Sequence, residues 1–137
     1  MTYDHPRVRV LLDEEGVRVV VLSGEFDIDS VGPLAEVLAD AAREGVRRVV
    51  DIARVTFADS SLLNILLAGD REDHLVLAGP VPEQFAELLR LLDAEAELEI
   101  APSLAEARSR SASPAAPSPT GERRGPGVNA EAEEDGR

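Results

Sequence analysis

Asp59, Ser60 and Ser61 stand in a row between a strand-exit loop and an apolar run, Leu62 to Ala68. Two adjacent hydroxyls at the start of a helix can do two kinds of chemistry. One can cap the helix by accepting a backbone N–H, which is the favoured reading on local pattern alone. Either can instead take a phosphate, since a helix N-terminus presents free N–H groups and a favourable dipole to a dianion. The carboxylates of Asp27 and Asp59 would repel that phosphate. Modification would then act by changing surface charge and partner fit, not by ordering its own loop.

Other reactive residue types are sparse. Glu25, Asp27 and Asp29 alternate at period two, so an extended segment would gather three carboxylates on one face as donors for a hard cation. No second cluster is spaced to complete six oxygens. The favoured reading is a solvated strand end, with Asp29 helping to cap the next helix. The two histidines are His5, near the N-terminus, and His74, just before an apolar run. A Ser–His–Asp site would need His74 at Ser60 or Ser61, and no Gly-x-Ser-x-Gly elbow surrounds either serine. The chain has no Cys, no Lys, no P-loop and no Rossmann glycine pattern. No enzyme, cofactor or metal is expected.

The 137 residues suit one domain. With 27 acidic against 14 basic residues and a net charge of −13, the chain repels phosphate backbones and anionic headgroups. Direct nucleic-acid binding is therefore not expected. Hydrophobic residues make up 44% of the chain but aromatics only 3%, so the core must be built from Val, Leu, Ile and Ala. Every basic residue is Arg. Met1 to Val10 lacks an apolar h-region, and no apolar run approaches the length of a membrane span. A cytoplasmic protein without membrane insertion is the expectation. Composition breaks near Ser109, beyond which Ser, Pro, Ala and Gly dominate and periodicity is lost. A domain over 1–109 and a disordered tail over 110–137 are expected, since such a tail buries too little apolar area to offset its ordering entropy.

Within the domain, the elements that would position Ser60 follow from periodicity. Val8, Val10 and Leu12 alternate with Arg7, Arg9 and Leu11, and a polar turn at 13–16 leads to a second strand, Val17 to Ser23. The pair predicts an antiparallel hairpin. Leu34, Val37, Leu38 and Ala41 mark one face of a helix, with Ser30 or Asp29 as cap, Pro33 in the first turn and Gly45 as the stop. Arg48 to Ile52 predicts a third strand, parallel to the second. Leu62 to Ala68 is apolar nearly all round and predicts a short buried helix. A fourth strand, Leu75 to Ala78, precedes a helix opened by Pro82 with Phe85, Leu88, Leu89 and Leu92 on one face. Leu98 to Ile100 reads as a fifth strand. Ser103 and Glu106 read as a capping box for a last helix. The order β-β-α-β-α-β-α-β-α predicts an α/β domain with a mixed sheet of four to five strands.

Two segments, in register with this order, resemble the STAS domain family and within it the bacterial anti-sigma factor antagonists. Leu22-Ser23-Gly24-Glu25-Phe26-Asp27 is similar to the family's strand-ending Gly-Glu-Leu-Asp. Val55-Thr56-Phe57-Ala58-Asp59-Ser60-Ser61 is similar to its Phe-x-Asp-Ser-Ser-Gly-Leu, with Leu62 in place of the Gly. Leu77-Ala78-Gly79-Pro80 and the helix after it resemble the family's fourth strand and third helix. The match covers about residues 6–109. The resemblance implies a non-enzymatic domain that binds an anti-sigma factor, often a serine kinase, and so releases a sigma factor. It implies phosphorylation at Ser60, which ends binding, with Asp27, Asp59 and Ser61 on the partner surface. The alternative is a STAS-like scaffold in another signalling or transport assembly, without a phospho-switch.

Overall fold

The structure is a computed structural model that describes residues 5–12 and 16–112. Five strands, β1 (Arg7–Leu12), β2 (Val17–Phe26), β3 (Arg47–Ala58), β4 (Leu75–Ala78) and β5 (Glu99–Ala101), form one sheet in the order β1-β2-β3-β4-β5. β1 is antiparallel to β2, and the other pairings are parallel. The helices are α1 (Gly32–Arg43), α2 (Ser60–Glu72), α3 (Glu83–Leu91) and α4 (Leu104–Ala112). The single mixed α/β sheet matches the expected element order. The expected turn at 13–16 lies mostly outside the described residues. Of the expected tail, 110–112 end α4 and 113–137 lie outside the described residues.

The connections β2-α1-β3, β3-α2-β4 and β4-α3-β5 each step one strand in the same direction. Right-handed crossovers therefore carry all three helices to one face of the sheet. That face holds the main core, in which Leu34 and Leu38 of α1, Leu62, Leu63 and Leu66 of α2, and Phe85 and Leu89 of α3 pack on Val20, Leu22, Phe26, Val50 and Ile52. Val17, Val19, Val21, Val49, Val76 and Ala78 point to the opposite face, where Ala107 and Leu104 of α4 cover them. This two-sided burial explains the near-continuous valines of β2 and β3, which one-sided strands would interrupt with polar residues.

Several local expectations change. β2 and β3 run past their expected ends, to Phe26 and Ala58, through two register shifts, between Val21 and Ser23 and between Gly24 and Glu25. Those irregularities break the period-two pattern that would have announced the longer strands. Neither Ser30 nor Asp29 caps α1; Val31 occupies the cap position without a side-chain bond. Ser30 instead closes the turn before it. Gly45 does end α1 as expected, at φ +70°, with its N–H on Ala42 O and that of Val46 on Ala41 O. This is a Schellman closure, which needs the left-handed conformation that glycine adopts freely. α2 extends a turn beyond the apolar run and exposes Asn64, Ala68, Arg71 and Glu72, so it is one-sided rather than apolar all round. α3 stops at Leu91, and Asp93 takes φ +55°, which leaves Leu92 out of the core. At α4 the Ser103 hydroxyl accepts the Glu106 N–H at 3.2 Å. The Glu106 carboxylate, however, pairs with Arg110.

Arg48 is the largest fully buried side chain among the described residues. Its guanidinium donates to Leu38 O at 3.2 Å, to Gly69 O at 2.8 Å and to Asp73 O. It thus satisfies carbonyls at the C-terminal end of α2, where the helix dipole favours a cation. Burial lowers its pKa, and Asp73, Glu72 and Asp70 oppose that shift. Gly69 permits this arrangement: a Cβ there would lie 3.1 Å from Leu38 Cδ1 and 3.3 Å from Leu75 Cδ2.

Candidate functional site

The site forms where β2 and β3 end together. Phe26 and Ala58 are register partners, and both are fully buried. The chain therefore leaves the sheet side by side at Asp27 and at Asp59, one residue further on each strand. Asp27 opens a tight turn. Its Oδ1 accepts the Asp29 N–H at 3.0 Å and lies 3.1 Å from the Ser30 hydroxyl, while Ser30 Oγ accepts the Asp27 N–H at 2.9 Å. This is the local turn chemistry that Asp and Ser favour. It leaves Ile28 71% exposed at the tip.

Asp59 caps α2. Its backbone is extended, and its Oδ1 accepts the Ser61 N–H at 2.8 Å. The expected serine cap is thus corrected: the aspartate takes the role, because the helix begins at Ser60, one residue before Ser61. Ser60 is the first helical residue and is exposed, Ser61 is half-buried, and Leu62 and Leu63 are fully buried directly behind them. Ser60 therefore presents its hydroxyl from a helix start that is fixed at both ends, by the Asp59 cap and by two leucines in the core. Phe57 adds a large apolar side chain, 44% exposed, three residues before Ser60.

The end of β3 is held from the side. Gln84, the second residue of α3, accepts the Ala58 N–H through Oε1 at 2.9 Å and donates from Nε2 to Ala58 O at 2.8 Å. Sequence reasoning missed Gln84, and also Ile28, Phe57 and Arg48 as parts of the site or its supports. An apolar Ile28 inside an acidic run was the one available signal. The Gln84 bond has no periodic signature.

Two expected alternatives meet the geometry. His74 lies beyond the far end of α2, whose 13 residues span about 20 Å. There its Nδ1 is 3.1 Å from Asp70 Oδ1 and its Nε2 2.7 Å from Glu99 Oε1. It is a surface clasp between α2, β4 and β5, remote from Ser60. Of the three alternating carboxylates, Asp27 spends its Oδ1 on its own turn. Among the described residues no group of three or more His, Asp or Glu is placed to hold a metal ion. Nor, among these residues, is any helix long and apolar enough to cross a membrane. A groove of about 110 Å³ between α1 and α2, lined by Ala35, Ala39, Ile65 and Ala68, is well below the roughly 300–1,000 Å³ of ordinary small-molecule sites.

Residues 10–102 match the family model described as Mlab, STAS domain. No curated protein matches the chain at a significant level. Among solved structures it is similar to an anti-sigma factor antagonist from Mycobacterium paratuberculosis, at 24% identity and a TM-score of 0.66, over 79% of this chain and 95% of the other. It is also similar to the anti-sigma factor antagonist SpoIIAA in its unphosphorylated form, at 18% identity and a TM-score of 0.62, over 76% of this chain and 95% of that one. The phosphorylated form of the Bacillus cell fate determinant SpoIIAA matches at 20% identity and a TM-score of 0.60, over 76% and 98% of the two chains. At these identities the likeness is one of fold.

Proposed function

Because the chain belongs to the STAS domain family, we propose that it is an anti-sigma factor antagonist, a non-enzymatic cytoplasmic module that binds an anti-sigma factor and so frees a sigma factor. The observation that carries this reading is the exposed Ser60 on the first turn of α2, at the sheet end it shares with the Asp27 turn. Asp27, Asp59 and Ser61 form the polar part of the partner surface, and Ile28 and Phe57 give it apolar anchors. Interfaces of this kind draw most of their energy from a few such buried anchors. The similar folds of anti-sigma factor antagonists, one of them known in unphosphorylated and phosphorylated forms, support the same reading.

In this reading the partner is a serine kinase, and it phosphorylates Ser60. The phosphate adds about −1.5 to −2 charges at neutral pH. Asp59 already holds the Ser61 N–H and Asp27 stands at the same sheet end, so the added dianion meets two carboxylates. A partner face shaped for a neutral hydroxyl must then desolvate it, which is costly. The test is to incubate the protein with the cognate kinase and ATP, map the phosphate by mass spectrometry, and measure partner binding before and after.

A second reading is favoured by Leu62. The similar family motif has Gly at that position, whereas Leu62 here is fully buried. Peeling Ser60 into a kinase cleft would pull on two core leucines. In that reading the domain is a scaffold in another signalling or transport assembly and carries no phospho-switch. Affinity purification separates the two: kinase-like or small anti-sigma partners favour the first, transporter or sensor subunits the second.

A further inference from the structure

β4 is much shorter than β3. It pairs only with Arg48 to Asp51, so beyond Asp51 no strand among the described residues lies beside this flank of β3. Unpaired backbone groups along such an edge need other partners. At the register shift with β2, Asp51 Oδ1 accepts the Ala53 N–H at 3.0 Å. At the far end, the Gln84 amide makes both the donor and the acceptor bond to Ala58, as a neighbouring strand would. Ala58 immediately precedes Asp59, whose carboxylate caps α2 through Ser61.

We propose that Gln84 is the positioning residue of the Ser60 site. Its paired bonds fix the backbone at Ala58, which sets the direction in which Asp59 leaves the strand and so the geometry of the cap that presents Ser60. A primary amide is suited to this role because one planar group carries a donor and an acceptor side by side. α3 thereby does more than bury Phe85 and Leu89: its opening turn is coupled to the phospho-acceptor loop. The consequence for partner binding rests on the function proposed above, while the local effect on the loop does not.

The test uses Gln84→Met, which keeps length and apolar bulk but removes both bonds, and Gln84→Glu, which keeps an acceptor for Ala58 N–H but sets a carboxylate against Ala58 O. Amide exchange of the full-length ¹⁵N-labelled protein reads the site without any partner. In Gln84→Met the protection of Ala58 should fall about fivefold to tenfold, the effect of losing one net hydrogen bond, and in Gln84→Glu, which keeps the acceptor, it should fall less. Protection of Ser61 should fall with it, while Val49 and Val50 stay unchanged. A loss at Ala58 that leaves Ser61 as protected as before overturns the proposal, as does no loss at Ala58. The second measurement is affinity for the cognate anti-sigma factor, expected to weaken about tenfold in Gln84→Met at a temperature where both proteins are fully folded. Unchanged affinity despite a loosened Ser61 would confine Gln84 to the free protein and refute its role in binding. If the unaltered protein binds no anti-sigma factor, the proposed function fails, and the exchange of Ser61 still decides the role of Gln84.

Discussion

Phe26 and Ala58 lie opposite each other in the parallel pairing of β2 and β3, both without solvent exposure, and each is followed by an aspartate of the candidate site. The pairing converts a sequence separation of 32 residues into a shared edge. It also explains why the two irregularities in this pairing matter. They set which residues of β3 come opposite the end of β2, and so where Asp59 begins the turn into α2.

The cap assignment gives a stability test. Asp59→Ala should destabilise the domain by about 0.5–2 kcal/mol, the usual loss of an N-cap. Ser61→Ala should change stability by less than about 0.5 kcal/mol, since the Ser61 N–H that the cap uses survives the substitution. Urea melts of the two variants decide it, and a larger loss for Ser61→Ala would overturn the assignment.

Leu66 is fully buried in the main core between α2 and the sheet. Leu66→Ala should cost about 2–5 kcal/mol by lost transfer energy and the cavity left behind. A loss well under 1 kcal/mol in denaturant melts would mean that α2 is peripheral to the fold.

Arg48 secures the other end of the same helix. Arg48→Ala should cost about 3 kcal/mol or more, because it removes the guanidinium's bonds to Leu38 O, Gly69 O and Asp73 O and empties a large buried volume. Arg48→Lys should recover only part of that, since one ammonium cannot reproduce the planar fork. Equal stability of the Lys variant and the unaltered protein in thermal melts would argue against the multidentate role.

Ile28 and Phe57 should act on binding more than on folding. Ile28 is 71% and Phe57 44% exposed, so Ile28→Ser should leave the melting curve nearly unchanged and Phe57→Ser should shift it only modestly. Each should weaken binding to the anti-sigma factor by about 1–2 kcal/mol if the site is the partner surface. Titration calorimetry with both variants is the check, and unaltered affinity in both would move the interface elsewhere.

Much of this architecture was legible from periodicity, because the elements that bury one face announce it. Leu34, Leu38 and Ala41 marked α1, Leu62, Leu63 and Leu66 marked α2, and Gly45 marked a helix end that only a left-handed residue closes well. The Asp59-Ser60-Ser61 row was legible as a helix start, but the choice of cap was not. Aspartate and serine are equally good caps, and a one-residue shift in the first helical position exchanges their roles. The length of β3 was hidden by its irregular pairing. The burial of Arg48 was hidden too, since nothing local indicates that carbonyls from a distant helix end will surround a strand arginine. Gln84 was hidden for the same reason: its partner is a backbone group 26 residues away.

The proposed switch turns on one modification: a phosphate on Ser60 ends partner binding. Its sharpest test is the dissociation constant of the anti-sigma factor for the full chain, unmodified and with a phosphate mapped to Ser60, beside Ser60→Ala and Ser60→Asp. Tight binding is expected for the unmodified protein and for Ser60→Ala, with a loss of at least about tenfold for Ser60→Asp and for the phosphorylated form. Equal affinity of the unmodified and the Ser60-phosphorylated protein would refute the switch.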